Sequence, residues 1–347
     1  MDIVTQKKRA PTVIDVAKRA GVSPMTVSRV INARGSVRPE TRQAVDLAIR
    51  DLAYSPNVAA RSLVTSKEIR IGVIYSNPSA TFMSEFLTGV FEEASARGAQ
   101  LTLLKGEGGL PPGENEIQRL IQSGVTGVIL APPLGEFDSI LQPLREASLP
   151  VAVVGGVSSE NISVRINNKR AAYDMTRHLL ALGHRRLGFI TGNANQSASA
   201  ERLSGFQKAV DEIAHVESIV IQGDFSYTSG LTAGHLLLET ATPPTAIFAS
   251  NDDMASAVVS VAHRLHLDVP QDLTVVGFDD TTAAVTLWPP LTTVRQPVRE
   301  LAAEALQLLT QQIKEVGAEP QGARRTRILK HELIERQSTA PPKDQSI

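Results

Sequence analysis

Residues 12–32 read TVIDVAKRAGVSPMTVSRVIN. The spacing predicts two short helices joined by a tight turn. Ile14, Val16, Ala17 and Ala20 give the first helix an apolar face. Gly21 supplies the permissive backbone that the turn requires. Ser23 is placed to cap the second helix, with Pro24 at its first helical position, where a missing N–H costs nothing. Val27, Val30 and Ile31 then face inward, and Met25, Ser28, Arg29 and Asn32 face outward. A helix that presents short polar and basic side chains near its N-terminal end fits the width of a DNA major groove. A helical hairpin packed on some other core is the alternative.

Charge favours the first reading. The chain has 347 residues and a formal net charge of −1. Residues 1–70 hold 13 Lys and Arg against six acids, so the head carries +7 and the remainder −8. A basic head on an acidic body is the pattern of a protein whose head alone approaches phosphates. There are no cysteines, which excludes a disulfide scaffold, a thiolate zinc site and a Cys nucleophile. The opening residues MDIVTQKKRAP have no apolar core of signal-peptide length, and no run approaches a membrane span. A cytoplasmic location is expected on these grounds.

Residues 39–53 predict a third helix, with Ala44, Val45, Ala48, Ile49 and Leu52 at helical spacing. Arg38 sits at its cap position and cannot accept an N–H bond, so this end frays or takes Ser36 in a shifted register. Asn57 can cap a short helix over 58–64, too short to persist alone in water. From residue 69 the pattern becomes α/β. Strands are expected at 69–75, 100–104, 127–131, 150–154, 187–191, 218–221, 246–249 and 273–278. Amphipathic helices are expected between them, including 82–97, 171–182, 200–213, 229–239 and 253–265. Short apolar strands separated by such helices argue for doubly wound parallel sheets. About eight such units suit two lobes with a ligand cleft outside the carboxyl ends of the strands. The stretch 337–347 is polar and contains prolines, and is expected to be disordered.

Taken together, DVAKRAGVSPMTVSRVIN, SPNVAARSL, HLLALGHRRLGFITG, AERLSGFQKAV, AIFASNDDMA, LTVVGFDD and PPLTTVRQP make the chain resemble the lactose-repressor (LacI/GalR) family of bacterial transcription factors. That resemblance implies a helix-turn-helix head (1–55), a hinge helix (56–68) and a two-lobed core like periplasmic sugar-binding proteins (69–336). Its N-lobe would comprise 69–164 and 295–322, and its C-lobe 165–294 and 323–336. A homodimer on a pseudo-palindromic DNA operator is implied, released when a mono- or disaccharide effector fills the cleft. Inducer rather than corepressor action rests on analogy alone. No cofactor, metal or membrane is called for.

The same resemblance assigns DNA contacts to Thr12, Ser23, Pro24, Met25, Thr26, Ser28, Arg29 and Asn32. Lys7, Lys8, Arg9, Lys18, Arg19, Arg42 and Arg50 are candidates for phosphates, which would make affinity fall with salt. Arg29 reads guanine bidentately or holds a phosphate. In the hinge, Leu63 matches a residue that wedges between base pairs, supported by Asn57, Ala60 and Arg61; simple packing is the other reading of Leu63. Effector contacts fall on Phe82, Asn167, Arg202, Phe225, Asn251, Asp279 and Gln296. A carboxylate, a guanidinium and an amide suit sugar hydroxyls, and Phe225 suits an apolar sugar face. Asn167 stands where many relatives have Asp. Asp252 and Asp280 serve either ligand or helix ends.

An enzyme is disfavoured. The sequence has no GxGxxG after a strand, no Walker loop and no HExxH. Adjacent pairs such as Asp252–Asp253 rarely face one substrate together, and His263 and His266 lack a third metal ligand. A secreted sugar-binding protein would suit the core but not the basic head. The tail QSTAPPKDQSI lacks a leucine heptad for tetramerisation.

Overall fold

The computed structural model describes residues 12–31, 38–52, 68–315 and 326–343, the side chains of Val13, Ser28 and Ile31 excepted. It divides into two units, 1–68 and 69–347.

The head holds α1 (Val13–Ala20), α2 (Pro24–Ile31) and α3 (Pro39–Asp51). Thr12 and Asp15 form a reciprocal capping box on α1. Gly21 ends α1 in the left-handed region at φ 67°. Ser23 Oγ accepts the Thr26 N–H at 3.1 Å, as a cap on α2 should. Arg38 precedes α3 with no side-chain cap bond. The core is Val16, Ala17, Val27, Val30, Val45 and Ala48. Ile14, expected inside, is 63% exposed. A two-turn helix packed between two neighbours buries one narrow stripe, and Val16 and Ala17 fill it. Ala44 is exposed for the same reason on α3. The hinge positions Asn57, Ala60, Arg61 and Leu63, and Asn32, lie outside the described residues, as does any cap from Ser36.

The second unit is built on two six-stranded sheets. The first has the order β11-β5-β4-β3-β1-β2. Its strands are β1 (Arg70–Tyr75), β2 (Gln100–Lys105), β3 (Gly127–Leu130), β4 (Val151–Val154), β5 (Ile162–Ile166) and β11 (Thr326–Leu329). The second has the order β12-β10-β9-β8-β6-β7. Its strands are β6 (Arg186–Ile190), β7 (Glu217–Ile221), β8 (Ala246–Ala249), β9 (Thr274–Asp279), β10 (Thr292–Arg295) and β12 (Glu332–Ile334). All pairings are parallel except β10 with β12. Central strands such as GVIL, VAVV and AIFA are buried along their whole length, the mark of sheets covered on both faces.

Helices α4 (Ala80–Arg97), α5 (Glu114–Gln122), α6 (Asp138–Glu146) and α12 (Val298–Lys314) belong with the first sheet. Helices α7 (Asn168–Ala181), α8 (Ser197–Asp211), α9 (Tyr227–Leu238), α10 (Asp252–Arg264) and the short α11 (Thr282–Thr286) belong with the second. Packing of α4 on α12 is close. A Cβ on Gly89 would lie 2.3 Å from the Arg299 carbonyl oxygen.

The eight strands read from the sequence are present with ends displaced by about one residue. Four more exist. Strands β5, β10, β11 and β12 include Ser163, Arg165, Thr292, Thr293, Arg295, Arg327 and Glu332, which break the apolar run that signals a buried strand. One lobe assignment changes as well. Residues 326–329 were expected in the second lobe, yet β11 pairs with β5 in the first sheet. Three crossovers therefore join the lobes, after β5, after β10 and between β11 and β12. The tail is also corrected. Ser338 is fully buried, with its Oγ donating to the Val275 carbonyl at 2.6 Å and accepting the Thr292 N–H at 2.8 Å. His184 Nε2 lies 2.9 Å from the Ala340 carbonyl oxygen. Within 337–343 the polar composition serves these hydrogen bonds rather than disorder, and 344–347 lie outside the described residues.

Candidate functional site

The carboxyl ends of both sheets and two of the crossovers meet around one cavity. It holds about 530 Å³ of atom-free space counted out to solvent, within the usual range for small-molecule sites. Both lobes contribute to its lining.

Six of the seven residues read from the sequence line this cavity: Phe82, Arg202, Phe225, Asn251, Asp279 and Gln296. Phe82 comes from the first turn of α4, whose N-cap Ser79 accepts the Phe82 N–H. Arg202 sits on α8, Asn251 caps α10, Asp279 ends β9 and Gln296 follows β10. Asn167 is the exception. It is exposed, and its Oδ1 accepts the Arg170 N–H at 2.9 Å as the cap of α7. One step along, Asn168 turns into the cavity instead, because the helix begins there and swings successive side chains by about 100°.

Arg202 is the centre of the site. Its guanidinium carbon stands 3.6 Å over the Phe278 ring and 5.6 Å over Phe225. Its Nε donates to Asn168 Oδ1 at 3.0 Å and its NH1 to the Ser250 carbonyl at 2.5 Å. Asp279 Oδ1 is 3.9 Å away, a charge contact rather than a hydrogen bond. That same oxygen accepts from Gln296 Nε2 at 2.5 Å. Burial pushes Asp279 up to about 7, against the opposing pull of Arg202 and Gln296. Burial likewise brings Arg202 down to about 10, where it remains cationic at neutral pH.

Asn251 is tied at both ends, accepting the Met254 N–H and donating to the Phe225 carbonyl at 2.9 Å. Phe225 has φ 73°, and its ring closes over Gly192 so tightly that a Cβ there would sit 1.9 Å from Cζ. Two contacts bridge the lobes at the rim. Glu136 accepts the Ser197 N–H and hydroxyl, each at 2.8 Å, and the Thr81 hydroxyl reaches Asp253 at 3.3 Å.

Sequence reading missed Asn77, Ser79, Asn168 and Gln196. Gln196 matters most. It is 4% exposed, and its Nε2 has no hydrogen-bond partner. An unpaired buried donor facing a cavity asks for a ligand acceptor. Its only sequence signal was a position between β6 and α8, at the carboxyl edge of a parallel strand.

Asp252 and Asp280 lie outside the lining. Asp252 bonds Thr281 and Thr293. Asp280 pairs with Arg295 and Arg336 at 2.7 and 2.6 Å.

In the head, the outward face of α2 carries Pro24, Met25 (67% exposed) and Arg29. Thr12 and Ser23 both act as caps, and Thr26 shares a hydroxyl contact with Ser23 at 2.9 Å. Arg19 is paired with Asp51 at 2.6 Å, both exposed. Arg42 and Arg50 are exposed. Among the described residues there is no cluster of three or more His, Cys, Asp or Glu placed to hold a metal ion. Nor is any helix there long and apolar enough to cross a membrane.

Comparison with known proteins agrees with this division. Residues 12–57 match the model of bacterial regulatory proteins of the lacI family, and residues 176–339 match a periplasmic binding protein-like domain. The HTH-type transcriptional regulator DegA of Bacillus subtilis is 35% identical over 341 residues, covering 95% of this chain and 98% of DegA. CelR of Thermobifida fusca is 37% identical over 326 residues, covering 91% and 95%. Among solved structures, the lac repressor dimer bound to operator and the anti-inducer ONPF superposes with a TM-score of 0.80 at 28% identity, covering 96% of this chain and all of that one. A complex of CelR with cellobiose gives a TM-score of 0.69 at 34% identity, covering 94% and 99%.

Proposed function

Because this chain belongs to the lacI family of bacterial regulatory proteins, and is a DNA-binding transcriptional regulator rather than an enzyme, we propose that it is a homodimeric repressor of carbohydrate-utilisation genes whose inter-lobe cavity takes a sugar. Its site of action is the cytoplasm, where the operator is. The exposed face of α2 reads bases in the major groove, with Arg29 suited to guanine and Met25 to a thymine methyl. Basic residues of the head neutralise phosphates. Asn57, Ala60, Arg61 and Leu63 extend this contact into the minor groove by analogy with the family.

The cavity carries the effector half of the reading. Around one space stand a guanidinium, a carboxylate, five amides and two phenylalanine rings, drawn from both lobes. Amide and guanidinium donors with a carboxylate acceptor suit vicinal hydroxyls, and the rings suit the apolar face of a pyranose or furanose. A ligand touching both lobes stabilises the closed state over the open one, which is the differential affinity that coupling to DNA requires. The relatives support the class of ligand: one solved complex is of CelR with cellobiose, another of a LacI-family regulator with ribose.

The test is a thermal-shift screen of mono- and disaccharides on the full chain, followed by operator binding with and without the best binder. A sugar that raises Tm and weakens the operator complex is expected. Stabilisation by no sugar, together with no preference for any palindrome over random duplex, would refute the reading.

A further inference from the structure

The turn that presents Asp279 is held in an unfavourable conformation. Asp279 has φ 112° and Asp280 φ 58°, in the region that residues with a Cβ rarely occupy. Such a turn persists only when its surroundings over-determine it.

Asp280 is held by its pairs with Arg295 and Arg336, and Asp252 bonds the residue that follows. Asp252 is 1% exposed, at the start of α10, and does not line the cavity. Its Oδ2 accepts the Thr281 N–H at 2.8 Å and the Thr281 hydroxyl at 3.2 Å. Its Oδ1 accepts the Thr293 hydroxyl at 2.6 Å. Thr281 lies two residues beyond Asp279. Thr293 lies on β10, three residues before Gln296, which donates to Asp279. One carboxylate thus ties the turn after β9 to β10, the two strands that lead into Asp279 and Gln296. Strand β9 runs so close beneath it that a Cβ on Gly277 would fall 2.3 Å from Asp252 Oδ1. Support of the α10 N-terminus does not account for this. Asp253 also lies in that first turn, and Asn251 already caps it.

We propose that Asp252 is a positioning residue of the effector cavity, which holds Asp279 in its strained orientation without touching the ligand. The part played in binding rests on the sugar-effector reading above; the part played in the turn does not.

The experiment compares Asp252→Ala and Asp252→Asn in the full chain. An asparagine keeps the clamp, because its amide oxygen accepts from Thr281 while its NH2 donates to the Thr293 hydroxyl. Alanine removes it. In ligand-free crystal structures, Asp279 is expected to leave the positive-φ region and part from Gln296 in the Ala variant, and to stay in the Asn variant. Asp279 unmoved in the Ala variant would overturn the proposal whether or not any sugar binds. Calorimetry with whichever of D-glucose, D-ribose and cellobiose most stabilises the wild type gives the second readout. The Ala variant is expected to raise Kd about tenfold or more at unchanged stoichiometry, and the Asn variant less than about threefold. A role in overall stability alone would lower the fraction of competent sites and leave Kd unchanged, and that result would also overturn it. Should the Ala variant not fold, Thr293→Val releases the bond to β10 alone and is read in the same two ways. A wild type that binds none of the three sugars counts against the effector reading, and the crystal structures then decide the clamp.

Discussion

Asp279→Asn is expected to stabilise the ligand-free protein at alkaline pH while abolishing its response to effector. The carboxyl is raised from 3.8 to about 7, chiefly by burial. A group raised in this way favours the folded state fully below its unfolded value, and that contribution is lost as pH rises through its folded value. A displacement of about three pH units, at about 1.4 kcal/mol each, leaves the ionised wild type about 4 kcal/mol worse off above pH 7 than a permanently neutral side chain would be. Both side chains of the pair are only 6% exposed, so solvent screening removes little of this. The attraction of Arg202 for the ionised carboxylate is already contained in that value of about 7. Asp279 is 3.9 Å from Arg202, whose bonds to Ser250 and Asn168 remain. The advantage of the variant over the wild type should grow by about 2–3 kcal/mol between about pH 5 and pH 8.5. Urea unfolding of both proteins at several pH values measures it through the midpoint. A stability difference that does not change with pH would refute the assignment of a buried, proton-binding Asp279, whatever its mean size. Loss of the sugar-induced thermal shift in the same variant tests the carboxylate's part in binding.

Other substitutions probe separate parts of the molecule. Gly192→Ala drives a Cβ into the Phe225 ring. It should cost about 1–3 kcal/mol in thermal unfolding and weaken effector binding with it, since the ring is pushed into the cavity. In the head, Val16→Ala should cost about 2 kcal/mol and Ile14→Ala less than about 0.5 kcal/mol by denaturation of the isolated unit, a contrast set by burial and not by hydrophobicity. Glu136→Ala removes an exposed rim contact between the lobes. Effector affinity should fall about two- to fivefold, and small-angle scattering of the ligand-free chain should show a more open core. Arg29→Ala should cost about 1–3 kcal/mol of operator affinity, mostly at one base pair if Arg29 reads guanine, and equally at all sequences if it holds a phosphate.

Much of this protein was legible before folding was considered. The turn at Gly21, the cap at Ser23 and the lone Arg38 ahead of α3 follow from local chemistry, which acts within a few residues and is written there. Six of the eight strands could be read because a strand buried on both faces is hydrophobic along nearly its whole length, whereas β2 and β7 are largely exposed strands at the sheet edges. Arg202, Asn251, Asp279 and Gln296 were found through motif position. That they share one cavity is a fact of the fold.

Other features depended on partners distant in the chain. Ile14 and Val16 are equally apolar on paper, and only the packing of three helices decides which is inside. The polar tail looks unfit for a core until Ser338 meets Val275 and Thr292. Strands β5 and β10 carry polar residues whose partners lie far along the chain: Arg165 meets Glu201, Thr293 meets Asp252 and Thr292 meets Thr339. Asn167 and Asn168 are the same residue type, and a helix start separates cap from cavity. Gln196 carried no signal in its own neighbourhood, since an unpaired amide is recognised only once everything around it is known. The sequence by itself determined the type and order of the apolar elements, and the family, because periodicity and short-range capping are local properties. The tertiary structure alone decided which polar groups are buried, which face each other across the lobes, and how far Asp279 departs from an ordinary carboxylate, because burial and Coulomb energy depend on what surrounds a group in space.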